Sequence, residues 1–375
     1  MKNKRQANIE LLRVLSMLFI VIWHCILHGI YHVGTEKMCL HYQTNEGNDL
    51  LLHFMLYVTS IAVNCYVLIT GYFMVASLFH WSKVCRVWTL ALFYSGIIAI
   101  GIYLFYPHAG LDAVSVLKSC WPLEPGSGYW FVGKYLALLA LSPYLSRVAL
   151  SLSKKEYLTF LLILVMLNVS LGYYFPFGRI YSGSMSLLWF IFLFFVAGYI
   201  RLFQPFQTLQ SKYCIQLFII LCIGTALYQA VLDYYGYYKS GKFEFDIPPF
   251  NGIAFFLSLL LFMWALRLNI SKRGLLNKCI LFVAPYTFGV YLIHDNNIIR
   301  SVLWNDWLHL EDYYSKPYLA IIIVLVCILI FVFCAFIDFF RAKIFNALSV
   351  DRRVYSILEK GVKKIVEYLN TKKCI

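Results

Sequence analysis

Arg13 and His24 stand eleven residues apart in the apolar stretch IELLRVLSMLFIVIWHCILHG, residues 9–29. At about 100° per residue, eleven steps come to roughly 20° past three full turns of helix, with a rise of about 16 Å. Both side chains therefore share one helix face. A guanidinium and an imidazole are costly in hydrocarbon, so that face is expected to look into protein or water. A deep imidazole suits general-base work, and a guanidinium near a helix end suits an anion. Taken singly, Arg13 also fits a snorkelling anchor and His24 a hydrogen-bonded core histidine.

A second histidine, His294, falls in PYTFGVYLIHDNN, residues 285–297, and is followed by Asp295. A histidine near a carboxylate is a candidate acid–base arrangement, and His294 and Asp295 join His24 as candidate catalytic residues. Neighbours on a helix point about 100° apart, so Asp295 is not expected to orient His294 directly. Lys83 and Arg86, in HWSKVCRVW, lie three apart at a helix start and are candidates, with Arg13, for holding a phosphate. The plainer reading of that pair is ordinary cytoplasmic charge. His28 and His32 continue the spacing of His24, but no acid lies close by on that helix; they are read as solvated, and no metal site is expected.

These residues need a membrane frame. The 375-residue chain is 61% hydrophobic and 13% charged, with a mean hydropathy of +0.72. A soluble chain of this length carries far more charge. The apolar runs are too long for barrel strands, so the expected fold is all-α and polytopic. About ten spans of near twenty residues are read, at 8–30, 50–79, 84–106, 129–149, 157–175, 186–203, 213–235, 250–268, 279–303 and 318–341. The second is overlong, which predicts a tilt or a surface helix at its start. Tyr129 and Trp130 read as interfacial aromatics, and Lys134 as a snorkelling residue.

Charge sets the orientation. With the N-terminus in the cytoplasm, inner connections collect Lys83, Arg86, Arg147, Lys154, Lys155, Arg201 and Lys272, among others. Outer connections collect Glu36, Asp112, Glu244, Asp306 and Glu311, among others. Both termini are then cytoplasmic. This asymmetry accounts for the net charge of +14, so no nucleic-acid partner is expected. Residues 1–345 read as the membrane domain, and 346–375 as a basic, loosely amphipathic tail on the anionic inner leaflet. The first apolar stretch lacks a small-residue cleavage site and is read as a retained span. Most of the eleven cysteines fall in apolar runs; Cys39 and Cys120 share an expected side, where a disulfide is one option.

Several segments together resemble the acyltransferase 3 family of integral-membrane acyltransferases. LLRVLSMLFIVIWHC resembles the family's arginine–histidine first helix. VLITGYF is similar to its second-span signature, with Thr70 in place of serine. Lys83-Val-Cys-Arg86 is similar to an RxxR motif, with lysine for the first arginine and the following proline missing. GYWFVGKYLALLALSPYL and YTFGVYLIH resemble two further segments. The resemblance covers roughly residues 6–340. It implies transfer of an acyl group, usually acetyl, from cytoplasmic acetyl-CoA or another acyl-CoA to a hydroxyl of a cell-surface or lipid-linked glycan. It also implies about ten helices around a polar interior, and a bacterial inner membrane. A flippase or exporter of glycans is the competing expectation, since a multispan polar interior suits it too.

Overall fold

The computed structural model describes residues 5–32, 46–123, 128–174, 186–240 and 252–372. No strand occurs among them. Among the described residues, six helical stretches are long and apolar enough to cross a membrane: Ala7–Gly29, Leu50–Met74, Ser82–Phe105, Ser211–Tyr228, Leu275–His294 and Leu319–Ala347. Leu187–Phe203 and Ile253–Arg267 are apolar but shorter. Helices also occupy the remaining two hydropathy segments, at Trp130–Ser151 and Lys154–Tyr174.

Helix α1 (Ala7–Gly29) is the hub. It contacts α2 (Glu46–Ser60), α3 (Ala62–Met74), α10 (Gly252–Arg267), α11 (Leu275–Val283), α12 (Thr287–His294) and α14 (Leu319–Ala347). Its start has no side-chain cap of its own. Instead the Asn8 amide donates to the Ala265 and Leu266 carbonyls at 2.9 and 3.3 Å. Those carbonyls belong to the last turn of α10, where helix oxygens lack intrahelical partners. One side chain thus fixes the relative depth of two helices.

The overlong second segment is one apolar stretch broken in two. The Thr59 hydroxyl donates to the Met55 carbonyl at 2.7 Å, and the Ser60 hydroxyl to Tyr57 at 2.8 Å. Such back-bonding bends helices, and α2 gives way to α3 at Ile61. Below the bend, α3 lies hard against α8 (Leu187–Phe203). A Cβ on Gly71 would come 2.8 Å from the Phe194 Cα, so only glycine allows this approach.

The remaining helices close around this centre. Helices α6 (Trp130–Ser151) and α7 (Lys154–Tyr174) pack on α8, while α9 (Ser211–Ser240) packs on α10 and α2. A capping box starts α7: the Ser153 amide donates to Glu156 Oε2 at 2.8 Å. Helix α4 (Ser82–Phe105) contacts α6, α12 and α15 (Val350–Lys372). The outward faces carry apolar side chains such as Ile97 and Ile100 on α4, Ile220 on α9, and Leu329 and Phe333 on α14. These are the surfaces a bilayer covers.

The ninth segment differs from its expected limits of 279–303. Its long helix begins at Leu275, tightens into a 3-10 turn at Ala284–Tyr286, where Pro285 sits, and ends at His294. Asn296 then caps a short helix, α13 (Asn297–Ser301), through its side chain to the Ile298 amide. A π-turn follows at Val302–Trp307. Helix α5 (Ala113–Ser119) is likewise a short connection. Cys120 is a free thiol; Cys39 lies outside the described residues.

Candidate active site

Two cavities flank the middle of the bundle. The outer, so called from the expected sidedness, is about 170 Å³ and is lined by His24 and His28 of α1, by Thr59 and Ser60 at the bend, and by Trp130, Tyr291, Asp295 and Arg300. The inner, named in the same way, is about 390 Å³ and is lined by Arg5, Arg13, Lys83, Arg86 and Arg341, together with Thr70, Tyr135 and Thr287. Tyr66, Phe131 and Phe288 line both. Arg13 and His24 therefore turn into protein cavities, one at each end of the shared face of α1.

The histidine geometry fixes tautomers. His294 Nδ1 lies 2.6 Å from the Val290 carbonyl, one turn back on its own helix. A carbonyl oxygen only accepts, so this nitrogen carries the hydrogen. His294 Nε2 then has a free lone pair, and it lies 3.0 Å from His24 Nδ1. In the neutral pair, His24 Nδ1–H is the donor. His24 Nε2 keeps its lone pair on a ring that borders the outer cavity.

Asp295 does not orient His294. Its Oδ1 sits 3.5 Å from His24 Nδ1 and 3.4 Å from Arg300. The helix ends at His294, and Asp295 is its C-cap residue. That change of backbone direction turns the carboxylate toward α1. His294 and Asp295 are both buried, at 0% and 6% exposure, so neither charge nor hydrogen bond is diluted by bulk water there.

At the inner cavity Arg13 pairs with Glu10 at 3.1 Å. Arg86 is exposed and faces Asp351 of α15 at 3.7 Å. Arg341 is the best held. Its Nε donates to Asp338 Oδ1 at 2.9 Å, and its Nη2 to both carboxylate oxygens at 2.7 Å. The Tyr94 hydroxyl adds a third donor to Asp338 at 2.8 Å. Asp338 is wedged against Gly289 of α12, where any Cβ would overlap it. This clamp ties α4, α12 and α14 at one point.

In the sequence, Arg341 falls at the limit of the last expected span and Arg5 in the charged N-terminal stretch. Neither stood out as a cavity residue. His28 and His32 read as solvated; the structure buries His32 and leaves His28 half-buried. His28 lines the outer cavity, with its ring 5.7 Å from that of His24. His32 is 2% exposed and bonds Asn305 at 3.2 Å, because the turns after α13 fold back over the end of α1. Tyr129 is likewise no surface aromatic: its hydroxyl donates to the Leu292 carbonyl and accepts from Asn296. Lys134 lies over the Trp130 ring at 5.1 Å.

An apolar helical bundle with a paired-histidine cavity backed by a cationic one defines a membrane-embedded acyl-transfer enzyme once its sequence relationships are added. A family model described as an acyltransferase domain matches residues 6–339. The chain belongs to the acyltransferase 3 family, and is a multi-pass membrane protein of that kind. No curated protein and no solved structure matches it.

Proposed function

We propose that the chain moves an acyl group, acetyl in the first instance, from cytoplasmic acyl-CoA to a hydroxyl of a cell-surface or lipid-linked glycan, with His24 Nε2 as the general base. The observation that carries this reading is the directional chain from His24 through His294 to the Val290 carbonyl. It leaves one basic nitrogen in a cavity that shares a wall with a cluster of cations. A glycan exporter needs neither.

In this reading Arg13, Lys83 and Arg86 bind the donor's phosphates from the cytoplasm, with Arg5 and Arg341 beside them. Charge-assisted contacts of that kind tolerate a lysine for an arginine at some cost in geometry. The pantetheine arm reaches outward past Tyr66, Phe131 and Phe288. The acceptor hydroxyl enters from the outer side, among Trp130, Tyr291 and Arg300. His24 takes its proton as the oxygen attacks the thioester carbonyl. The resulting imidazolium is held by His294 and by the Asp295 carboxylate, and then returns the proton to the leaving thiolate. The sidedness follows the charge asymmetry of the connections, with ten spans, both termini in the cytoplasm, and the bacterial inner membrane as the site. The tail helix α15 rests on that leaflet.

The test is transfer of labelled acetyl from acetyl-CoA by purified protein in the presence of an acceptor glycan. His24→Ala is expected to abolish transfer while leaving insertion and thermal stability in place. Movement of glycan across vesicles without acetyl transfer would sink the enzyme reading in favour of export.

A further inference from the structure

Attack on a thioester makes negative charge on the carbonyl oxygen, and that charge needs a donor in place before it forms. His24 and His294 are committed to the acceptor's proton. The thioester, arriving from the inner cavity, meets the acceptor where the two cavities share a wall. Three side chains form that wall, and two of them are phenylalanines. The third is Tyr66, the only one with a hydrogen-bonding group.

Tyr66 is 8% exposed, and its hydroxyl is buried without a hydrogen-bond partner. The neighbouring Thr287 hydroxyl donates to the Ala284 carbonyl at 3.0 Å, so it offers Tyr66 only a lone pair and no donor. A buried, unsatisfied phenol is costly and calls for an explanation. Tyr66 stands one turn above Thr70 on α3, whose hydroxyl is spent on the Tyr66 carbonyl and the Tyr135 phenol. Gly71 fixes the depth of this helix against α8. The phenol is therefore held by a rigid element rather than by a loop, as a preorganised donor requires. Tyr291 also has an unpartnered buried hydroxyl, but it borders only the outer cavity.

We infer that the Tyr66 hydroxyl is the oxyanion donor of the transfer step, which rests on the acyl-transfer reading above. The acceptor oxygen forms a bond to the thioester carbon while His24 Nε2 takes its proton. The carbonyl π electrons move onto oxygen, and the Tyr66 O–H donates a hydrogen bond to the resulting oxyanion. Collapse restores the carbonyl, breaks the carbon–sulfur bond, and releases CoA thiolate, which takes the proton back from His24. The products are the O-acyl ester and CoA–SH, with no proton gained or lost.

Tyr66→Phe deletes one oxygen atom and keeps the ring in the wall. Acetyl transfer by Tyr66→Phe and by the unaltered protein is measured alongside binding of a non-transferable acetyl-CoA thioether. The expected result is a kcat lower by on the order of 10²-fold with unchanged thioether affinity. An unchanged kcat, or a loss confined to donor affinity, overturns the assignment while the unaltered enzyme's transfer keeps the acyltransferase reading. Absence of transfer in the unaltered protein, with acceptor and donor both bound, fails that underlying reading instead.

Discussion

At His24 the deciding variable is which ring nitrogen carries hydrogen. The Val290 carbonyl settles it at two removes, through His294. His294→Ala removes the acceptor for His24 Nδ1–H and frees the ring to adopt the other tautomer. We expect kcat to fall on the order of 10²-fold with little change in the KM for acyl-CoA, as befits a positioning residue. His294→Gln supplies an acceptor again and is expected to recover part of the loss; equal loss in both variants would argue for a direct role of the imidazole. Arg13→Ala belongs to the other cavity. It should raise the KM for acyl-CoA severalfold with kcat nearly kept, read from initial rates across donor concentration. His24 and Arg13 were legible from spacing alone, because a helix repeats its faces regularly. The partners of His24 were not: His294 and Asp295 are adjacent in sequence, and only the helix end between them lets both reach His24.

Among the elements, the close contacts of α3 and α12 carry the consequences. Gly71→Ala drives a methyl into the backbone of Phe194, which has no flexible end to give way. The expected cost is about 1–3 kcal/mol, read as a lower melting temperature in detergent. Gly96→Ala on α4, with nothing within 4 Å of the added carbon, is expected to leave the melting temperature in place or raise it slightly. Asp338→Ala strands Arg341 in the interior, with an expected destabilisation of about 3–5 kcal/mol. Replacing Asp338 and Arg341 together by apolar residues should restore much of that stability while the KM for acyl-CoA stays high; recovery of both would remove Arg341 from the donor cavity. Hydropathy reveals most of these helices, because long apolar runs admit few other structures. It misses the break at Ile61, which depends on the Thr59 and Ser60 hydroxyls bonding backward, and the early end of the ninth segment. Both depend on local polar side chains that a window average smooths away.

For the molecule as a whole, five basic side chains gather on one cavity, and His24 and His28 with Arg300 line the other, with α1 running between them. The sidedness inferred from charge is open to a direct check. Single cysteines at His108 and Lys155 should react with impermeant maleimide from opposite faces of sealed vesicles, and labelling of both from one face would reverse or dissolve the proposed orientation. Composition made the membrane frame readable, but the cavities were not, since they arise where distant helices fail to fill space. One further consequence lies in the wall of Tyr66, Phe131 and Phe288. With the proposed sidedness, the two hollows open toward opposite faces of an energised membrane, and water threading them would conduct protons and drain its gradient. Large rings make a dry plug that an elongated thiol arm can part and that hydronium crosses only at great cost. In the acyl-transfer reading proposed above, the same three side chains that let chemistry pass from one compartment to the other would serve as its electrical insulation.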